Sequence, residues 1–131
     1  MKPLSDRTNK VRIEESQVRV DTVPEPLDPI ALEIVHELVE RLRAARASSR
    51  ARMLVFGAHT IKNGLSPVII RLLETGWITH IATNGAGIIH DWEFAYQGAS
   101  SEDVRENMVH GEFGTWEETG YYLNLALLVG A

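Results

Sequence analysis

The 131-residue sequence predicts an α/β fold, a parallel sheet with flanking helices. Three features carry that expectation. Met53-Leu54-Val55-Phe56 is a short apolar run ending in Gly57-Ala58, the pattern of a parallel strand buried on both faces. Ser66-Pro67 supplies an N-cap and a first-turn proline for a helix lined by Val68, Ile69, Leu72 and Leu73 and stopped by Gly76. Ile78-Thr79-His80-Ile81-Ala82-Thr83 then reads as a second strand, so residues 53–83 have the length and order of one strand-helix-strand crossover, expected to be right-handed.

The other elements follow from local signals. Residues 1–29 mix charges with Pro3, Pro24, Pro26 and Pro29, and their strand-like stretch is Val18-Arg19-Val20 near Val11-Arg12-Ile13. They read as an extended arm lying on this domain or on a neighbouring subunit, with disorder as the alternative. The α/β domain occupies residues 30–131. Asp28-Pro29 opens a helix as N-cap and first-turn proline. Ala31, Ile34, Val35, Leu38, Leu42 and Ala45 give that helix one apolar stripe, expected to cover a core. The arginines from Arg41 to Arg52 read as its solvated end rather than a phosphate site.

After the second strand, the turn Asn84-Gly85-Ala86-Gly87 leads into an apolar helix through Ala95. Ser100 with Asp103 resembles a capping box for a helix reaching His110, and Thr115 with Glu118 forms another for a helix starting at Trp116. Two strands are few where about five are usual in an open sheet. The domain is therefore expected to be incomplete, the N-terminal part of a longer enzyme or a half-sheet that a partner chain completes.

Composition narrows the class. The chain has no cysteine, which excludes disulfides and thiolate chemistry and makes the reducing cytoplasm the expected compartment. Thirteen basic against 18 acidic residues, a net charge of −5, disfavour nucleic acid as a partner. No apolar run approaches the ~20 residues that span a bilayer, and the N-terminus lacks the apolar region of a secretory signal, so no membrane partner is expected.

Both glycine-bearing turns leave the carboxyl ends of adjacent strands and should face one crevice, the edge where open α/β sheets bind ligands. The first turn carries His59, Thr60, Lys62 and Asn63; the second removes side chains where phosphates approach helix N–H groups. Neither turn matches the strict dinucleotide fingerprint or a phosphate-binding Gly-Lys-Ser/Thr sequence, and tight turns need glycine for geometry as often as for ligands. His59, His80, His90 and His110 with Asp91 and Glu93 lack ligand spacing, so no metal is expected. His59 and His90 are instead candidates to contact substrate or carry protons, or else structural histidines. The carboxylates from Asp91 onward face Arg105 alone and would favour a cationic ligand, although helix capping accounts for most of them.

Leu54-Val55-Phe56-Gly57-Ala58-His59 through Asn63-Gly64, with Ile78 to Thr83 and then Asn84-Gly85-Ala86-Gly87-Ile88-Ile89-His90-Asp91, resembles the N-terminal half of deoxyhypusine synthases and their bacterial synthase-like relatives. The likeness covers roughly residues 50 to 98. It implies a Rossmann-like fold, NAD as cofactor, an aminobutyl-type amine transferase activity and a homo-oligomer with active sites between subunits. By motif it places His59, Asn63, Thr83, Asn84, Gly85, Ala86 and Gly87 at the cofactor and His90 and Asp91 at the reacting end, beside a small cationic amine. The sequence departs from the family where Ile89 and His90 replace a pair of glutamates and where the first loop is shorter. It also has no lysine after Lys62, whereas the family's imine-forming lysine lies in the C-terminal half. A relative using another amine, as homospermidine-forming enzymes do, fits equally well. The alternative is a noncatalytic nucleotide-binding or interaction fragment of the same fold.

Overall fold

From the N-terminus, the structure, a computed structural model describing residues 1–130, runs through β1 (Asn9–Arg12), α1 (Ile13–Ser16), α2 (Pro29–Ala47), β2 (Met53–Phe56), α3 (Ala58–Lys62) and α4 (Ser66–Glu74). It continues through β3 (His80–Thr83), α5 (Gly85–Gln97), β4 (Ala99–Glu102), α6 (Val104–Val109) and α7 (Glu117–Gly130). This is a mixed α/β architecture. β2 and β3 pair in parallel, Met53 opposite His80 and Phe56 opposite Thr83, and α3 and α4 make the crossover. Gly76 ends α4 in the left-handed region at φ 69°, as its sequence position predicts. A second sheet pairs β1 antiparallel with β4, Val11 opposite Ser100. Among the described residues each sheet has two strands.

The core forms where one face of the parallel pair meets the helices. Ile61, Ile69 and Phe94 are buried there, with Val11, Ile13, Leu54, Phe56 and Leu73 packed around them. The other face is open: Met53 and Val55 are 62% and 70% exposed. The expectation of a strand buried on both faces is therefore corrected, because no described helix covers that side. An apolar run reports a preference for burial and does not guarantee a neighbour.

Helix α2 begins as its sequence predicts, with Asp28 Oδ1 accepting 3.0 Å hydrogen bonds from the Ile30 and Ala31 amides. Its stripe covers no core: the helix buries no residue, and Ile34 and Leu38 are exposed. It is held by its C-terminal end. The Arg46 guanidinium lies 4.6 Å from the centroid of the Trp77 ring, and Arg52 donates to the carbonyls of Trp77 and Gly76 at 2.9 and 3.2 Å. Arg41, Arg43, Arg46 and Arg50 are exposed, as a solvated end requires, while the half-buried Arg52 and the stacking of Arg46 on Trp77 anchor that end to the domain.

The first part of the N-terminal arm is folded onto this domain. Leu4 is fully buried, the Lys2 amide donates to Thr115 O at 3.0 Å, and the Val18 amide donates to Gly64 O at 2.9 Å. The strand lies at Asn9–Arg12, and Val18-Arg19-Val20 forms none. Gly64 is required here: at φ 76° an added Cβ would stand 1.9 Å from the Ser16 carbonyl oxygen. Two further expectations are corrected. Ser100 belongs to β4, and it is Asp103 that caps α6, accepting from the Arg105 and Glu106 amides. Glu118 does not close a box with Thr115. It accepts from the Leu4 amide at 2.6 Å, a donor left without an intrahelical partner because Leu4 begins the short 3-10 turn Leu4–Asp6.

Candidate functional site

Helix α5 places Ala86, Ile89, His90 and Glu93 on one face, the three- and four-residue spacing of a helical stripe. That face looks toward β4, α6 and α7 across an open cavity of about 480 Å³. Its wall includes Lys62 from the end of α3, Glu102 from β4 and Trp116 just before α7, with Phe113 and Leu123 supplying apolar surface.

At the floor lies a closed polar network. Arg7 donates from Nη1 and Nη2 to Glu93 Oε1 and Oε2 at 2.8 and 2.7 Å. Thr119 Oγ1 donates to Oε1 at 3.0 Å, and the Ser100 hydroxyl donates to Oε2. Glu93 is 1% exposed and Ser100 fully buried. Burial pushes the Glu93 carboxyl upward, but the Arg7 guanidinium and the two hydroxyls outweigh it and hold the group below its ordinary value. Glu93 is thus an ionised carboxylate whose charge Arg7 neutralises. Arg7 is itself held by Asn9 Oδ1 at 2.9 Å from Nε, and its guanidinium lies 5.6 Å from the Trp116 ring centroid.

His90 Nδ1 stands 2.7 Å from Ser100 Oγ. Burial pushes this imidazole below its ordinary value. Glu93 pulls it back, while Lys62, Arg7 and His59 add to the downward shift. On the far wall, Glu102 Oε2 accepts from Trp116 Nε1 and Asn107 Nδ2, both at 2.8 Å, and Oε1 accepts from the Gly114 amide at 3.0 Å. The cavity therefore offers an imidazole biased toward its neutral form, the Lys62 side chain and carboxylates whose oxygens are already occupied.

The residues singled out from sequence fall in three places. Ala86 and His90 line the cavity. Asp91 is turned away from it, toward Phe56, Thr83 and Gly87 on one side and Ile13 and Gly64 on the other. His90 and Asp91 thus serve different surfaces, as adjacent positions on a helix must. His59 and Asn63 are exposed on α3 and its C-cap, where the Asn63 amide donates to His59 O at 2.9 Å.

The second turn divides further. Asn84 Oδ1 accepts from the Gly87 amide at 2.9 Å and so caps α5. A Cβ on Gly87 would fall 2.2 Å from Thr83 Oγ1, so this glycine is bare because strand and helix approach closely. Thr83 Oγ1 is buried without a hydrogen-bond partner among the described residues. A Cβ on Gly85 would meet nothing within 4 Å, leaving its main chain open. The two turns do abut: a Cβ on Gly57 would lie 3.8 Å from Asn84 Nδ2. Gly85 thus leaves bare main chain beside the start of α5, whereas Gly57 packs against Asn84 and Gly87 is closed off by Thr83.

Among the described residues, no group of three or more His, Asp or Glu is placed to hold a metal ion, and no helix is long and apolar enough to cross a membrane. Comparison with protein-family models, curated proteins and solved structures finds no match.

Sequence reasoning misses Arg7, Glu93, Ser100 and Thr119 as residues of one site. The helical spacing from Ala86 and His90 to Glu93 is the available signal. Arg7 and Thr119 give none, because only the tertiary fold brings them to that face.

Proposed function

We propose that this chain is the cofactor-binding part of an NAD-dependent amine transferase of the deoxyhypusine synthase type, with a Rossmann-like arrangement at its parallel pair. The observation that carries this reading is the contact of the two turns that trail β2 and β3, with open main chain at Gly85. That backbone, together with Ala86 at the start of α5, would hold the phosphates. NAD supplies a hydride acceptor when bound. His59, Asn63, Thr83, Asn84 and Gly87 support the turns, and Asp91 lies beyond them on the outer face. His90 would take a proton from a small amine in the cavity. The chain's sequence has no lysine after Lys62, so an imine-forming lysine equivalent to the family's would have to come from a different polypeptide segment. The open face of the parallel pair, at Met53 and Val55, offers a place for such a partner.

Calorimetric titration with NAD, with and without a polyamine, tests the reading. Heat and a thermal shift that Gly85→Val abolishes without loss of fold are expected. Absence of both in the unaltered protein would remove it. In any active assembly, His90→Gln should lower turnover and leave NAD affinity unchanged.

A noncatalytic interaction module is the second reading, and the uncovered stripe of α2 favours it. It predicts no NAD binding, together with a partner that Leu38→Glu disrupts.

A further inference from the structure

We propose that Ser100 acts as a positioning residue that fixes His90 in the tautomer carrying its proton on Nδ1, leaving Nε2 as the hydrogen-bond acceptor presented to a small hydroxyl- or amine-bearing ligand in the cavity.

The inference follows from counting protons around one buried carboxylate. Glu93 accepts four hydrogen bonds, two from Arg7, one from Thr119 and one from Ser100. Being ionised and bound bidentate by a guanidinium, it has no proton to give. The contact between Glu93 and Ser100 therefore runs one way, with the hydroxyl donating. A serine hydroxyl has a single proton. With that proton directed to Glu93, the Ser100 oxygen presents only lone pairs to His90 Nδ1, 2.7 Å away.

The contact is short enough to be a hydrogen bond, so the proton in it must come from the imidazole. A neutral imidazole with its proton on Nδ1 has a bare Nε2. Among the described residues Nε2 has no hydrogen-bond partner, and His90 lines the cavity beside Ala86 and Lys62. Ser100 is fully buried, so solvent cannot offer its oxygen a competing donor. Burial of the ring and the positive charges of Lys62 and Arg7 favour the neutral form that the tautomer requires.

The chain of command thus runs from Arg7 through Glu93 and Ser100 to His90. It differs from a hydrolytic triad, in which the imidazole would take a proton from the serine. Here the serine is inaccessible and serves to orient the ring. The ligand-facing Nε2 accepts a proton or a hydrogen bond, and the apolar wall from Phe113, Trp116 and Leu123 would hold the ligand's hydrocarbon part. The proton-accepting role in turnover rests on the transferase reading above. The tautomer does not, because it is a property of the protein without any ligand.

The test is a long-range proton–nitrogen correlation spectrum of ¹⁵N-labelled protein above neutral pH, with the His90 ring assigned by its disappearance in His90→Gln. A protonated Nδ1 and an unprotonated Nε2 are expected. In folded Ser100→Ala, loss of the acceptor should shift the tautomer ratio toward protonated Nε2 by about fivefold, the equilibrium weight of one hydrogen bond. Protonated Nε2 in the unaltered protein, or an unchanged ratio in folded Ser100→Ala, would overturn the proposal. Should Ser100→Ala not fold, the unaltered spectrum decides alone. Failure of NAD to bind would leave this result standing, which separates the two claims.

Discussion

The Arg7 guanidinium meets the Glu93 carboxylate through paired hydrogen bonds of 2.8 and 2.7 Å, joining positions 86 residues apart. Both side chains are almost fully buried, 3% and 1% exposed. A pair in such surroundings is worth little beyond an apolar replacement, but half of it is costly, because the remaining charge has neither water nor a counterion. Arg7→Met should therefore destabilise the protein by about 3–5 kcal/mol. Equilibrium urea unfolding measures this, and Arg7→Met combined with Glu93→Leu should recover much of the loss.

Acid should unfold the protein through the same network. The folded state holds Glu93 below its ordinary value near 4.5 and His90 below its ordinary value near 6.5. In each case the unfolded chain binds the proton first, so stability falls as pH drops. His90 contributes a decline that starts near its ordinary value and ends at its lowered folded one. Glu93 adds a second decline that begins near its own ordinary value and continues to lower pH. Urea midpoints measured across this range should show both, and His90→Gln should remove the first.

Gly85 and Gly87 should answer differently to alanine. Gly85→Ala adds a methyl into open space on a helix and should stabilise by about 0.5–1 kcal/mol. Gly87→Ala drives its Cβ onto Thr83 Oγ1 and should cost about 1–3 kcal/mol. Thermal unfolding of Gly87→Ala with Thr83→Ala should show partial recovery, since the second change removes the obstructing oxygen.

Helix α2 should depend on its cap rather than on its stripe. Leu38 is 54% exposed, so Leu38→Ala should change monomer stability by no more than about 0.5 kcal/mol. Asp28→Ala removes the acceptor for two amides and should cost about 0.5–2 kcal/mol of helix stability. Far-UV circular dichroism would register the second as lost helicity. A large effect of Leu38→Ala would mean that a second surface covers the stripe in solution.

The parts of the fold legible in the sequence are those governed by neighbours along the chain. Asp28-Pro29, Gly76 and the two short runs from Met53 and from Ile78 announce a cap, a stop and a parallel pair, because each depends on local backbone preference, although the second strand begins only at His80. β4 stays hidden because Ala99-Ser100-Ser101-Glu102 has neither β-branched nor aromatic residues; it is a strand because β1 pairs with it. Burial misleads for the opposite reason, since Val55 and Leu38 look like core residues until the absence of a covering element is seen. At the site, His90 is visible as a titratable group beyond a glycine turn. Its partners are not, since a salt bridge between Arg7 and Glu93 leaves no periodicity to read.

The pairing of β1 with β4 also orders events during synthesis. Glu102 is translated 93 residues after its partner Asn9, and Trp116 follows its partner Lys2 by a still longer stretch. Until then Leu4 and Arg7 have nowhere to dock, and the nascent chain carries them unsheltered. Folding of this half should therefore be slower than that of the parallel pair, as loop closure over such separations demands.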